Sequence, residues 1–156
     1  MELKILVGTM TGTAEMVADE MNDALSAAGH EAEVLAMDNL DGSVFEGGGV
    51  FLIVTSTYGQ GDVPDNALAL YEDLLEKKPD LSDVTYGVFS LGDMTYADTF
   101  NFGGKKFNEA LAGCGAKRVG DLFTHDASSG TIPEEDGVDW VKAWIENFKE
   151  ACEIAA

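Results

Sequence analysis

The sequence predicts an α/β fold: a doubly wound, five-stranded parallel sheet in the order 2-1-3-4-5, with helices on both faces. Three observations lead there. Residues 3–7, 50–55 and 84–91 are near-continuous apolar runs, the pattern of strands covered on both faces. Two further stretches, EAEVLAM and KRVGDLFTHD, mix charged or polar residues among apolar ones, as half-exposed edge strands do. Helical patterns separate the strands, so the pairing is parallel. Two polar strands at the edges and three apolar ones inside are what the 2-1-3-4-5 order requires, and right-handed crossovers place helices on both faces.

Each element has its own local signal. The first strand is followed by a helix with Val17, Met21, Ala24, Leu25 and Ala28 at helical spacing, closed by Gly29. EAEVLAM is the second strand. MDNLDGSVFEGGG then has room only for a short helix or a loop. The helix after the third strand turns Leu68, Tyr71, Leu74 and Leu75 inward and stops at Pro79. Phe107, Ala110, Leu111 and Cys114 mark the next helix, which Gly115 ends. A last helix starts near Glu134 and carries Val141, Trp144, Ile145, Phe148 and Cys152 inward. No repeat or linker divides the 156 residues, so a single domain over 1–156 is expected.

Composition narrows the function. The chain holds 29 acidic and nine basic residues, a net charge of −20. That balance argues against nucleic acid and anionic membranes, which attract basic surfaces. It suits basic protein partners, and it equally suits solubility or salt adaptation. No run of about 18 apolar residues suggests a membrane span, and the start MELKILVG has no signal-peptide pattern. A cytoplasmic protein is the expectation. Cys114 and Cys152 match no metal spacing and read as buried filler.

Chemistry is expected beyond the carboxyl ends of the strands, at the switch point between the first and third. TMTGTAE follows strand one, STYGQGDVPDN strand three and GDMTYADTFNFGG strand four. The first lacks the lysine of a P-loop and the three spaced glycines of a dinucleotide fingerprint. Strand three ends in Thr55, Ser56 and Thr57, without the phosphorylatable Asp of a receiver domain. What remains is an anion seat without a cation: hydroxyls of Thr9, Thr11 and Thr13 with the N–H groups from Met10 to Ala14 at a helix N-terminus. Tyr58, and Tyr96 with Phe100 or Phe102, offer two aromatic walls beside it. Together they fit a planar, phosphorylated ligand.

TMTGTAE, STYGQGDVPDNA and SLGDMTY together resemble the flavodoxin family across the whole chain. The likeness is to the short-chain type, nearest the small MioC-type members and the FMN domains of the diflavin reductases. It implies an FMN cofactor, with the phosphate held by Thr9, Met10, Thr11, Gly12, Thr13 and Ala14. It implies flavin contacts from Ser56, Thr57, Tyr58 and Gly59, with Tyr58 stacked on the isoalloxazine. Leu91, Gly92, Asp93 and Tyr96 supply the other wall, and Asp126 in FTHDASS an acidic contact. Phe100 and Asn101 lie in ADTFNFGG, a residue longer than the diflavin pattern.

The resemblance implies an electron carrier that shuttles single electrons from a reductase to an acceptor protein. The donor would be a basic flavodoxin or ferredoxin reductase-like protein, the acceptor is open, and a monomer is expected. An NAD(P)H-dependent FMN quinone reductase is the alternative. No nucleophile–base pair or metal set is legible. His30 and His125 stand apart, and His125 reads as a solvated loop residue.

Overall fold

The computed structural model describes residues 2–8, 12–37, 40–56, 65–92, 102–120, 122–126 and 132–155. In chain order the elements are β1 (Glu2–Gly8), α1 (Thr13–Ala27), β2 (Glu31–Ala36), a 3-10 turn (Gly42–Phe45), β3 (Gly49–Ser56), α2 (Asp65–Lys77), β4 (Val84–Gly92), α3 (Phe102–Gly113), β5 (Lys117–Arg118), β6 (Phe123–Asp126) and α4 (Pro133–Ala155). The strands lie in the order β2-β1-β3-β4-β5, with β6 also paired to β4. Every pairing is parallel. The expected strand order and parallel direction are therefore the observed ones.

Strand alternation divides the core into two layers. Leu6, Phe51, Ile53, Tyr86 and Val88 face α2 and α3, where Leu70, Leu74, Phe107 and Leu111 meet them. Ile5, Val7, Leu52, Val54 and Phe89 face α1 and α4, against Val17, Met21, Leu25, Val141, Trp144 and Ile145. β2 buries little of itself and lies at the edge, as its charged residues require.

Three expectations need correction. The fifth strand is two short pieces, because the chain turns at Gly120, φ +74, and the carbonyl of Val119 accepts the Trp144 indole N–H at 2.9 Å. On α2, Leu68 and Leu75 are exposed, and the buried stripe is Ala67, Leu70 and Leu74. Each exposed leucine lies one residue, about 100° of turn, past a buried position. Ala28 is exposed as well, since it forms the C-cap of α1 rather than its last inward position.

Cys114 is buried, and its thiol faces the carbonyl of Leu74. Burial pushes its pKa up, which disfavours the thiolate. The side chain of Cys152 lies outside the described residues. Among the described residues, no helix is long and apolar enough to cross a membrane.

One carboxylate ties the connection between β2 and β3 to α2. Asp73 accepts a hydrogen bond from the Gly42 N–H at 2.6 Å and pairs with Lys77 at 3.0 Å. The Gly42 N–H first, and then Lys77, hold its pKa below the ordinary carboxylate value. A depressed folded-state pKa adds stability that is complete above the unfolded value, about 3.9, and is lost as the pH falls through the folded one. Asp73→Asn should therefore be less stable than the parent at pH 7, with the gap closing as the pH falls below about 4. Urea midpoints at several pH values measure the gap, and a gap independent of pH would refute the assignment.

Candidate functional site

Four strands end level along one edge of the sheet. The register aligns Gly8, Thr55, Ser90 and Thr124 in one row. A step further, Ser56, Leu91 and His125 are aligned, and Gly92 stands beside Asp126. The winding reverses at β1, whose neighbours β2 and β3 lie on opposite sides. Crossovers leaving in opposite directions open a crevice at this edge.

Helix α1 begins at that crevice on Gly12, whose φ of +89° and ψ of −6° are left-handed. Glycine adopts this conformation without a Cβ penalty. The first helical bond runs from Met16 N–H to the Gly12 carbonyl at 3.1 Å. The N-cap is thus glycine itself and not a threonine, and Glu15 is exposed in the first turn. Thr13 is half-buried, whereas Ala14 is fully enclosed in the α1/α4 core layer. Any ligand contact from Ala14 is therefore made by its backbone.

The other described candidates take up distinct places. Ser56 and Gly92 end β3 and β4. Leu91 turns its side chain into the core and presents only backbone to the edge. Asp126 ends β6, half-buried. Thr9, Met10, Thr11, Thr57, Tyr58, Gly59, Asp93, Tyr96, Phe100 and Asn101 lie outside the described residues. The chain segments that carry them connect β1 to α1, β3 to α2 and β4 to α3, so all three start from the same edge.

Two features of this edge were missed in the sequence. Thr55 and Ser90 are fully buried, side by side in register on the α2/α3 face. Buried hydroxyls are hydrogen-bonded as a rule, and neither of these two is without a partner. The second is His125, read as solvated and here only 4% exposed. Alternation with Phe123 directs it inward, and its Nδ1 meets Asp136 Oδ2 at 2.9 Å.

The opposite end of the sheet is different in kind. Two depressions there, about 380 and 400 Å³, are lined by Glu2, Lys4, Glu31 and Glu33 and by Asp41, Asp73, Lys77 and Asp83. Both lie at the amino ends of the strands, away from the switch point.

A parallel sheet in this order, with a helix starting on a left-handed glycine at the β1/β3 reversal, defines a class: doubly wound α/β proteins of the flavodoxin-like order, whose ligands sit beyond the carboxyl ends of the strands. The flavodoxin family model matches residues 5–140, and the chain belongs to that family. Flavodoxins bind FMN and are themselves the type example of this order with FMN at the switch point. Flavodoxin YqcA of Escherichia coli K12 is 38% identical over 143 residues, covering 92% of this chain and 95% of the relative. Protein MioC of the same organism is 34% identical over 151 residues, covering 95% and 99%. The structure of a cysteine-to-alanine mutant of flavodoxin from Pseudomonas aeruginosa superposes with a TM-score of 0.85 at 38% identity, covering 96% of this chain and 99% of that one.

Proposed function

We propose that this protein is a single-domain FMN electron carrier, over residues 1–156, that takes electrons singly from a reductase and passes them to an acceptor protein. The observation that carries the reading is the start of α1 on Gly12 at the switch point, in a chain that belongs to the flavodoxin family. Bound FMN supplies the one-electron chemistry, and the protein supplies binding, orientation and a set potential.

The described residues at this edge fit that group. The first turn of α1, on this reading, offers its free N–H groups to the FMN phosphate, which residues Thr9 to Ala14 hold with the hydroxyls of Thr9, Thr11 and Thr13. On this reading Ser56, Thr57 and Gly59 line the ring from the β3 side, and Tyr58 stacks on it. Leu91, Gly92, Asp93 and Tyr96 close the β4 side with Phe100 and Asn101 beyond, while Asp126 stands at the rim from β6. The surrounding acidity suits a basic, cytoplasmic reductase as donor.

The visible spectrum of the purified protein, or of the protein mixed with FMN, tests the cofactor. Flavin bands with quenched emission are the expected result. Tyr96→Ala should restore much of the emission and weaken binding roughly three- to tenfold, since a stacked aromatic contributes about 0.5–1.5 kcal/mol beyond burial. Full quenching in that variant would assign the outer wall to another residue. Rapid bleaching by NADPH with no second protein would make the chain a quinone reductase instead.

A further inference from the structure

We propose that His125 and Asp136 form a positioning clamp that sets how the end of β6 presents Asp126 to the bound flavin. The proposal rests on the FMN reading above and on the place of Asp126 within it. His125 lies on the α1/α4 face of the sheet, above an apolar layer. Two residues earlier, Phe123 stacks on Phe89 with ring centroids 4.8 Å apart, and Phe89 meets Trp140 edge-on at 5.7 Å. Strand alternation puts the imidazole on the same face as Phe123, two residues further along β6. Its Nδ1 lies 2.9 Å from Asp136 Oδ2, and the His125 side chain is 3% exposed against 29% for Asp136. An ionised carboxylate only accepts, so Nδ1 carries the proton and donates it.

The two partners flank the connection from β6 to α4. His125 is the penultimate residue of β6, and Asp136 lies in the first turn of α4, where the Asp136 N–H donates to the Ile132 carbonyl at 3.1 Å. A carboxylate in a helix's first turn is favoured by the helix dipole. The clamp therefore anchors the strand end to a rigid helix start. Asp126 follows immediately and stands beside Gly92, the last residue of β4. Because neighbouring strand residues point to opposite faces, a strand end released at His125 rotates, and the rotation moves Asp126. The influence of a carboxylate on a nearby redox centre falls with distance, so the clamp acts on the flavin through Asp126.

The test is a double-mutant cycle read by anaerobic potentiometry of the FMN-loaded protein. Asp126→Asn removes a negative charge and should raise the second one-electron potential. His125→Leu should shift it in the same direction by at least threefold in the equilibrium constant, about 28 mV at 59 mV per tenfold. His125→Asn, whose amide can place a donor where Nδ1 stood, should return it to within a few millivolts. In the Asp126→Asn background, His125→Leu should add nothing. If His125→Leu does not fold, Asp136→Ala carries the same cycle from the more exposed partner. In the flavin-free protein, the His125 Nδ1–H resonance should be protected from exchange and lose that protection in Asp136→Ala. An unchanged potential in His125→Leu, a shift of full size from His125→Leu in the Asp126→Asn background, or no rescue by Asn would overturn the clamp while leaving the flavin reading intact. Failure of the parent protein to bind FMN would overturn that reading, and the clamp with it.

Discussion

Titration of the flavin-free protein should show FMN binding about a thousandfold more tightly than riboflavin, a difference of about 4 kcal/mol. The two ligands differ by the phosphate, which on this reading meets the start of α1. Hydrogen bonds to a charged group contribute about 1.5–3 kcal/mol each, so two or three well-directed donors suffice. The loop TMTGTAE contains no cation, so the seat depends on direction rather than charge. Gly12 sets that direction through its φ of +89°. A residue with a Cβ costs roughly 1–2 kcal/mol in the left-handed region, and a β-branched one is a true outlier there. Gly12→Val should accordingly lose about tenfold or more in FMN affinity, with riboflavin affinity much less changed. A side chain at Gly12 would meet no atom within 4 Å among the described residues. Equal affinities for FMN and riboflavin in the parent protein would take the phosphate away from residues 9–14.

The largest loss of stability is expected in the middle of β4. A Cβ on Gly87 would lie 2.2 Å from the Nε1 of Trp144 and 2.8 Å from its Cδ1. The indole is wedged: it is 2% exposed and donates to the Val119 carbonyl at 2.9 Å. A rigid ring cannot give way without losing that bond. Overpacking costs about 1–3 kcal/mol, and breaking a buried hydrogen bond adds roughly 1–3. Gly87→Val should thus destabilise the protein by about 3–5 kcal/mol, lowering the thermal midpoint by roughly 10–15 °C for a chain of this size. Gly87→Ala should cost less, and part of its cost should vanish in a Trp144→Phe background, where the indole N–H is gone. Additive losses in the double variant would show that the glycine serves something other than the tryptophan.

Much of this molecule was legible in one dimension. Strands covered on both faces need apolar residues at most positions, and β1, β3 and β4 have them through their middles; an edge strand needs charge, and β2 carries Glu31 and Glu33. The glycine at position 12 and the hydroxyl-rich, aromatic loops after β1, β3 and β4 were visible for the same reason. Their chemistry is concentrated in a few adjacent residues.

The sequence by itself determined the fold class, the inner and outer strands, the two-layer core and the edge at which a ligand can sit. Periodicity records which side of an element is buried, and burial is a local requirement repeated every two or every 3.6 residues. Only the tertiary structure decided the rotation of α2 that exposes Leu68 and Leu75, and the break in the last strand, where the indole of Trp144 takes the carbonyl of Val119. The same holds for the alignment of Thr55 with Ser90 and the meeting of His125 with Asp136. These depend on register between strands and on how closely a helix approaches the sheet. Such quantities are set by the fit of side chains distant in sequence, and no local pattern encodes them.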